Sequence, residues 1–327
     1  AEAQSFLASL SDASFTVSNV TTNPGTRNPG APFTTSTLQQ EANSKLGFGS
    51  RATMSSAQKL YQAGKITYMR TDSTTLSGQA IAATSEDIKS AFGEEYSQVR
   101  QFKTKSSSAQ EAHEATRPTK MADEKGSTNE YDQKLYDLIR RRTLASQMTP
   151  AKIEKTIITI ETTPKSSANY QAKGEVVVFD GFLRVYGGGK DEILPPLKTG
   201  DEVKASEVSA RQQFSKPPAR YTEGSLVKKL EDLGIGRPST YATIIDTVQT
   251  RGYVERGEGE GEPRDVIVLS AHPNDTAEVN REVVQEKTGS TKGKLMPTPA
   301  GELIADFLVN HFTNIVELSQ YVVVIYF

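Results

Sequence analysis

The sequence predicts a multidomain α+β protein, and three observations carry that prediction. Its 327 residues suffice for two or three separately cored domains. Helical periodicity dominates up to a composition change near Pro150, after which β-branched strand patterns take over. The last third then shows two short helical stretches joined by Gly234-Ile235-Gly236 and followed by further strands.

Each element has its own local warrant. Ala1 to Leu10 has helical character, and Phe15 to Val17 reads as a strand. Thr21 to Pro32, rich in proline and glycine, reads as a linker or domain junction. Ser36 to Leu46 and Thr53 to Ala63 carry helical spacing, with Gly64 placed to end the second helix. Lys65 to Arg70 is short and β-branched, an extended segment leaving that helix. From Asp132 to Met148 an apolar stripe through Leu135, Leu138 and Ile139 predicts a helix that Pro150 stops. Lys152 to Glu161 and Glu175 to Asp180 read as strands, with turns at Gly187 to Gly189 and at Pro195-Pro196.

In the last third, a helix from Ser225 to Leu233 meets the glycine turn, and a second helix opens with Pro238 at its first position. Gly252 to Val254 and Asp265 to Leu269, separated by the Gly-rich stretch from Gly257 to Pro263, read as a β-wing. Helix, turn, helix and wing is the layout of a winged-helix DNA reader.

Composition excludes several classes. Hydrophobic residues make up 35% and charged residues 24%, the balance of a water-soluble protein. The longest clean apolar run, Val322 to Phe327, is far short of the roughly 20 residues a membrane helix needs, so the reading is a cytoplasmic protein with no membrane partner. With no cysteine, disulfides, thiolate-bound zinc and a cysteine nucleophile are excluded. A net charge of −2 gives no global nucleic-acid signature. Local basic patches lie at Arg140 to Arg142 and from Arg211 through Lys216 and Arg220 to Lys228 and Lys229.

The most informative stretch contains Tyr68-Met69-Arg70-Thr71-Asp72. On an extended segment, residues two apart share a face, so Tyr68 and Arg70 project together. A phenol can attack a phosphodiester to form a covalent intermediate, and a guanidinium can bond the nonbridging oxygens where charge accumulates.

Leu60 to Thr74 resembles the active-site signature of the type IA DNA topoisomerases, the bacterial topoisomerase I branch in particular. Four further stretches are similar to family motifs in the family's order: Pro29 to Gln40, Ala109 to Thr119, Pro217 to Gly224 and Gly234 to Ala242. The resemblance extends to about Leu308, and Thr313 to Phe327 departs from it. It implies a toroidal architecture. Residues 1–27 and 151–215 would form a β-rich arch, residues 28–150 a helical tyrosine domain inserted in it, and residues 216–327 part of a winged-helix-like DNA-binding domain.

The resemblance also implies roles. Tyr68 would attack the backbone and keep the 5′-phosphate as a phosphotyrosine, Arg70 would stabilise the pentavalent transition state, and Asp72 would orient Arg70 or its neighbours. His113 would bond the scissile region from a polar loop motif with Glu111 and Glu114. Arg117, Arg220, Arg237, Ser239, Thr240 and Tyr241 would form the DNA-binding set. The residues alone leave Ser239 and Thr240 open as ordinary helix-start residues beside Pro238, and Tyr221 and Tyr241 open as base-stacking platforms or packing residues.

The implied function is transient single-strand cleavage, strand passage and religation to relax negative supercoils, by a monomer associated with the bacterial nucleoid. The family's Mg²⁺ site belongs to an N-terminal acidic domain with an Asp-x-Asp pair, and no such pair occurs here. The expectation is that this domain is missing, that no metal or other cofactor is held by this chain, and that the chain binds single-stranded DNA without cleaving it. Glu258, Glu260 and Glu262 alternate with glycines and make a poor metal site. Two other functions compete. A non-enzymatic winged-helix protein leaves Tyr68 without purpose, and a tyrosine recombinase or type IB enzyme would place its tyrosine near the C-terminus.

Overall fold

The structure, a computed structural model, describes residues 2–102, 113–165, 169–189, 191–273 and 278–312. Helix α1 (Glu2–Ala8) leads into β1 (Ser14–Arg27). The chain then inserts α2 (Thr35–Leu46), α3 (Ser50–Gln62), α4 (Gly78–Phe92) and α5 (Glu130–Ser146). It returns as β2 (Ala151–Thr163), antiparallel to β1 from Ser14 opposite Thr163 to Arg27 opposite Ala151. β3 (Tyr170–Phe179) follows, then the one-turn α6 (Leu183–Tyr186) and the short β4 (Glu202–Val203), completing a sheet of order β3-β2-β1-β4.

β1 thus extends through most of what the sequence suggested was a linker. β4 covers it only at Phe15 and Thr16. Beyond Asn19 it is an edge strand, where a sheet tolerates Pro24 and Gly25. α4 had no counterpart in the sequence reading. Ser77 caps it at the Ala80 amide (3.3 Å), and Ala80, Ile81, Thr84 and Ile88 face inward.

The inserted helices share a core of Phe33, Leu38, Leu60, Ile66, Met69 and Leu135 with its neighbours, against which the Tyr68 ring packs. We call this body the tyrosine lobe. A second core joins Ile88, Leu144 and Met148 to Phe182 and closes the lobe onto the sheet.

β5 (Val208–Arg211) precedes α7 (Glu223–Asp232) and α8 (Tyr241–Thr250). β6 (Val254–Arg256), β7 (Glu262–Ala271), β8 (Asn280–Thr288), β9 (Leu295–Pro297) and α9 (Pro299–His311) complete the described chain. The expected wing does not form. Val254 pairs with Pro297 in a β6–β9 ribbon, whereas β7 lies between β5 and β8 in another sheet. The cause is packing: Leu269 and Ala271 on β7 are drawn into a core with Leu7 and Leu10 beside α1. Among the described residues no helix is long and apolar enough to cross a membrane.

Candidate active site

Residues 65–73 are held by threonines rather than by a strand ladder. The segment makes one bridge, Ile66 opposite Pro118. The Thr67 amide donates to Arg117 O (2.9 Å) and its hydroxyl to Ala115 O (2.7 Å). Buried Thr35, at the start of α2, donates its hydroxyl to Met69 O (2.7 Å) and its amide to Thr71 O (2.9 Å), and accepts from the Thr71 amide (2.8 Å). Burial then alternates with a period of two. Met69, Thr71 and Ser73 are buried, while Tyr68, Arg70 and Asp72 lie on the outer face, with Tyr68 half-buried and Arg70 exposed.

His113, itself exposed, comes to this face. Its ring centroid lies 5.5 Å from that of Tyr68, and Tyr61 meets Tyr68 edge-on at 5.3 Å. Glu111 and the rest of 109–112 lie outside the described residues. Glu114 anchors the His113 backbone, accepting from the Ser77 amide (2.7 Å) and from Arg117 Nε (2.9 Å). Burial pushes the Glu114 carboxyl up, but the Ser77 bond and the Arg117 charge outweigh it and hold it below its ordinary value. Arg117 also donates to Pro118 O (2.9 Å), so each of its guanidinium nitrogens is engaged within the protein. In this structure the Arg117 side chain clamps Glu114 and the backbone at Pro118.

The turn between α7 and α8 lies across from this face. α8 begins at Tyr241, so Pro238 belongs to the preceding turn and not to the first helical position. The Thr240 hydroxyl does not cap α8; it accepts from the Arg237 amide (2.8 Å). Arg237 turns back on its own loop, donating to Gly236 O (2.7 Å) and Gly234 O (3.2 Å). At Gly236, φ is +79° and an added Cβ would meet Ile244 Cδ1 at 3.0 Å, so the turn requires glycine.

Tyr241 is 6% exposed and packs on Val227 and Ile245. Tyr221 is exposed, and so is Arg220. The Tyr241 hydroxyl is pushed up to about 12, first by burial and then by the Glu231 carboxylate, with Arg237 opposing and Asp72 adding to the rise. Asp72 therefore acts on Tyr241 across the gap. It makes no hydrogen bond or ion pair with Arg70.

A cleft of about 330 Å³ between α3 and α8 brings Arg70 to Ser239 and Pro238, with Arg51 and Gln58 on the α3 wall and Thr243 and Asp246 on the α8 wall. Beside it the two bodies dock through polar contacts. The Ser36 hydroxyl donates to Glu231 (2.6 Å), and Arg51 donates to Asp246 (3.2 Å). Two helix-start amides find partners across the interface: the Ser50 amide at the head of α3 donates to Glu223 (2.7 Å), and the Gly224 amide in α7 donates to Asn43 near the end of α2 (3.3 Å). The sequence reading named none of Thr35, Arg51, Glu223 or Glu231. Thr35 and Glu223 stood inside recognised motifs, but nothing local marks Arg51 or Glu231, whose partners are 195 residues away.

Comparisons with known proteins agree on one family. A family model described as DNA topoisomerase matches residues 1–266. DNA topoisomerase 1 of Vibrio cholerae is 47% identical over 264 residues, which are 78% of this chain and 30% of that protein. DNA topoisomerase 1 type prokaryotic of Acanthamoeba polyphaga mimivirus is 39% identical over 337 aligned residues, covering 95% of this chain and 39% of that protein. The full-length topoisomerase I structure from Thermotoga maritima superposes with a TM-score of 0.77 at 32% identity, over 98% of this chain and 49% of that one. The chain thus spans about a third of the length of the relatives it matches. On the match across most of its length and on a shared fold, this chain belongs to the type IA DNA topoisomerase family, with the bacterial topoisomerase I proteins.

Proposed function

We propose that this chain is the strand-cleaving and strand-holding part of a topoisomerase that relaxes negative supercoils. The observation that carries the reading is the outer face of residues 68–72, where Tyr68 and Arg70 project together with His113 against the Tyr68 ring. In the proposed step the Tyr68 oxygen attacks a backbone phosphorus of single-stranded DNA. A tyrosyl–phosphate bond forms on the 5′ side, the bond to the 3′ oxygen breaks, and that oxygen leaves with a proton. Arg70 neutralises the nonbridging oxygens, and religation reverses the step. Arg220, Arg237 and Ser239 would follow the strand through its phosphates, and Thr240 would hold the Arg237 turn in place.

Mg²⁺ is expected to be held by the remainder of the full-length protein. Among the described residues no three His, Asp or Glu side chains come together to hold a metal ion, and Glu260 pairs with Lys292 (2.6 Å). We further propose that the full-length protein works as a monomer in the bacterial cytoplasm, at the nucleoid.

Substitution in the full-length protein tests the reading. Tyr68→Phe abolishes the covalent DNA adduct and relaxation, and Arg70→Ala lowers the cleavage rate by roughly 10²–10³-fold. Undiminished relaxation by Tyr68→Phe sinks the proposal in favour of a non-enzymatic DNA reader, and a 3′-phosphotyrosine points to recombinase-type chemistry. The chain alone, given Mg²⁺ and end-labelled single strand, should bind it and yield no adduct.

A further inference from the structure

Among the described residues the Tyr68 hydroxyl has no hydrogen-bond partner. A tyrosine oxygen lies on the long axis of its ring, so χ1 decides where it points, and χ1 has several staggered wells. Packing must therefore choose the well. The Tyr68 ring leans on the core of the tyrosine lobe and meets two further rings, those of His113 and Tyr61. His113 is exposed and carried by a loop, whereas Tyr61 stands in the last turn of α3.

That turn is firmly anchored. Leu60, beside Tyr61, is 1% exposed in the lobe core. The chain then reverses at Gly64, where φ is +68°, and the Lys65 amide donates to Leu60 O and the Gly64 amide to Tyr61 O, both at 2.9 Å. Thr119 holds the reversal from outside, its hydroxyl donating to Gly64 O (2.7 Å) and its amide to Lys65 O (3.0 Å). The reversal sets the Tyr61 ring edge-on against that of Tyr68, with centroids 5.3 Å apart and planes at 67°. Tyr61 is 40% exposed, and its hydroxyl has no partner among the described residues. Its ring is thus the part that the site engages.

Resting on the reading that Tyr68 is the nucleophile, we infer that Tyr61 is a positioning residue for strand cleavage. Its ring closes off the swing of Tyr68 toward α3 and keeps the phenol oxygen in the orientation from which it attacks. An edge-to-face pair favours the paired rotamer about two- to tenfold over the unpaired ones, and that factor should appear in the rate.

Single-turnover cleavage of an end-labelled single strand by the full-length protein, measured over a range of protein concentrations, tests the assignment. Tyr61→Ala lowers the maximal cleavage rate by more than about twofold and up to about tenfold, with the half-saturating concentration unchanged. Tyr61→Leu, which keeps apolar bulk without a ring, does the same and decides the matter if the alanine variant misfolds. Tyr61→Phe keeps the ring and restores the rate to within about twofold of wild type. A maximal rate within about twofold of wild type in Tyr61→Leu overturns the inference, as does a Tyr61→Phe as slow as Tyr61→Leu. A rise in the half-saturating concentration as large as the fall in rate also overturns it, assigning Tyr61 to DNA contact. In each of those cases the nucleophile reading stands so long as Tyr68→Phe yields no adduct; an adduct in Tyr68→Phe sinks both.

Discussion

Thr35 carries no reactive chemistry, yet it fixes the backbone on either side of Arg70 through three hydrogen bonds from a fully buried position. Thr35→Val keeps the shape and removes the hydroxyl. It leaves Met69 O and the Thr71 amide unpaired, so it should cost about 1–3 kcal/mol in chemical denaturation. In the full-length protein it should slow cleavage while leaving DNA affinity unchanged. Glu114 makes a second prediction at this scale. Its folded carboxyl sits below its ordinary value of 4.5. The stability it contributes is therefore complete above that value and is lost as pH falls below it, through the depressed folded pKa. Thermal melts of wild type and Glu114→Gln should differ near neutral pH and converge below about pH 4.5; a constant gap assigns Glu114 no such linkage. Tyr68, Arg70 and His113 were legible because a family signature surrounds them. Where the Asp72, Arg117 and Tyr241 side chains turn was not legible, since a motif preserves residue identity and does not fix side-chain direction.

Among elements, helices α2, α3, α5 and α7 were legible from apolar spacing and from capping residues such as Gly64 (φ +68°). The wing was not. β6 and β7 are near in sequence, but β7 is claimed by a core built from α1, and such a contact leaves no trace in local periodicity. The α2–α7 contact was equally hidden, and it is tight. A Cβ on Gly224 would lie 3.1 Å from Asn43 Cβ and 3.2 Å from Gln40 Cα. Gly224→Ala should therefore push α7 away from α2 at a cost of about 1–3 kcal/mol. Hydrogen exchange provides the readout. The Ser50 amide, which depends on Glu223, should lose protection in this variant, and unchanged protection there means the lobes re-dock without strain.

Across the whole molecule the apolar residues form several separate clusters, and the one under α7 and α8 is small, built on Val227, Tyr241 and Ile245. The polar docking contacts carry little apolar burial, so this unit should open before the tyrosine lobe does. Denaturation followed by Tyr241-region exchange and by far-ultraviolet dichroism should give two midpoints, and coincident transitions would contradict the expectation. The overall class was visible in the sequence from the change at Pro150, whereas the docking of distant bodies was not. The pairing of β1 with β2 has a mechanical corollary. Arg27 and Ala151, where the inserted lobe leaves and rejoins the sheet, are cross-strand partners. Everything between them hangs from a two-ply strap whose strands are laced together down to the point of attachment. Such a strap bends readily out of its plane and resists stretching or shearing, so any travel of the lobe should follow one arc and return the phenol to the same spot.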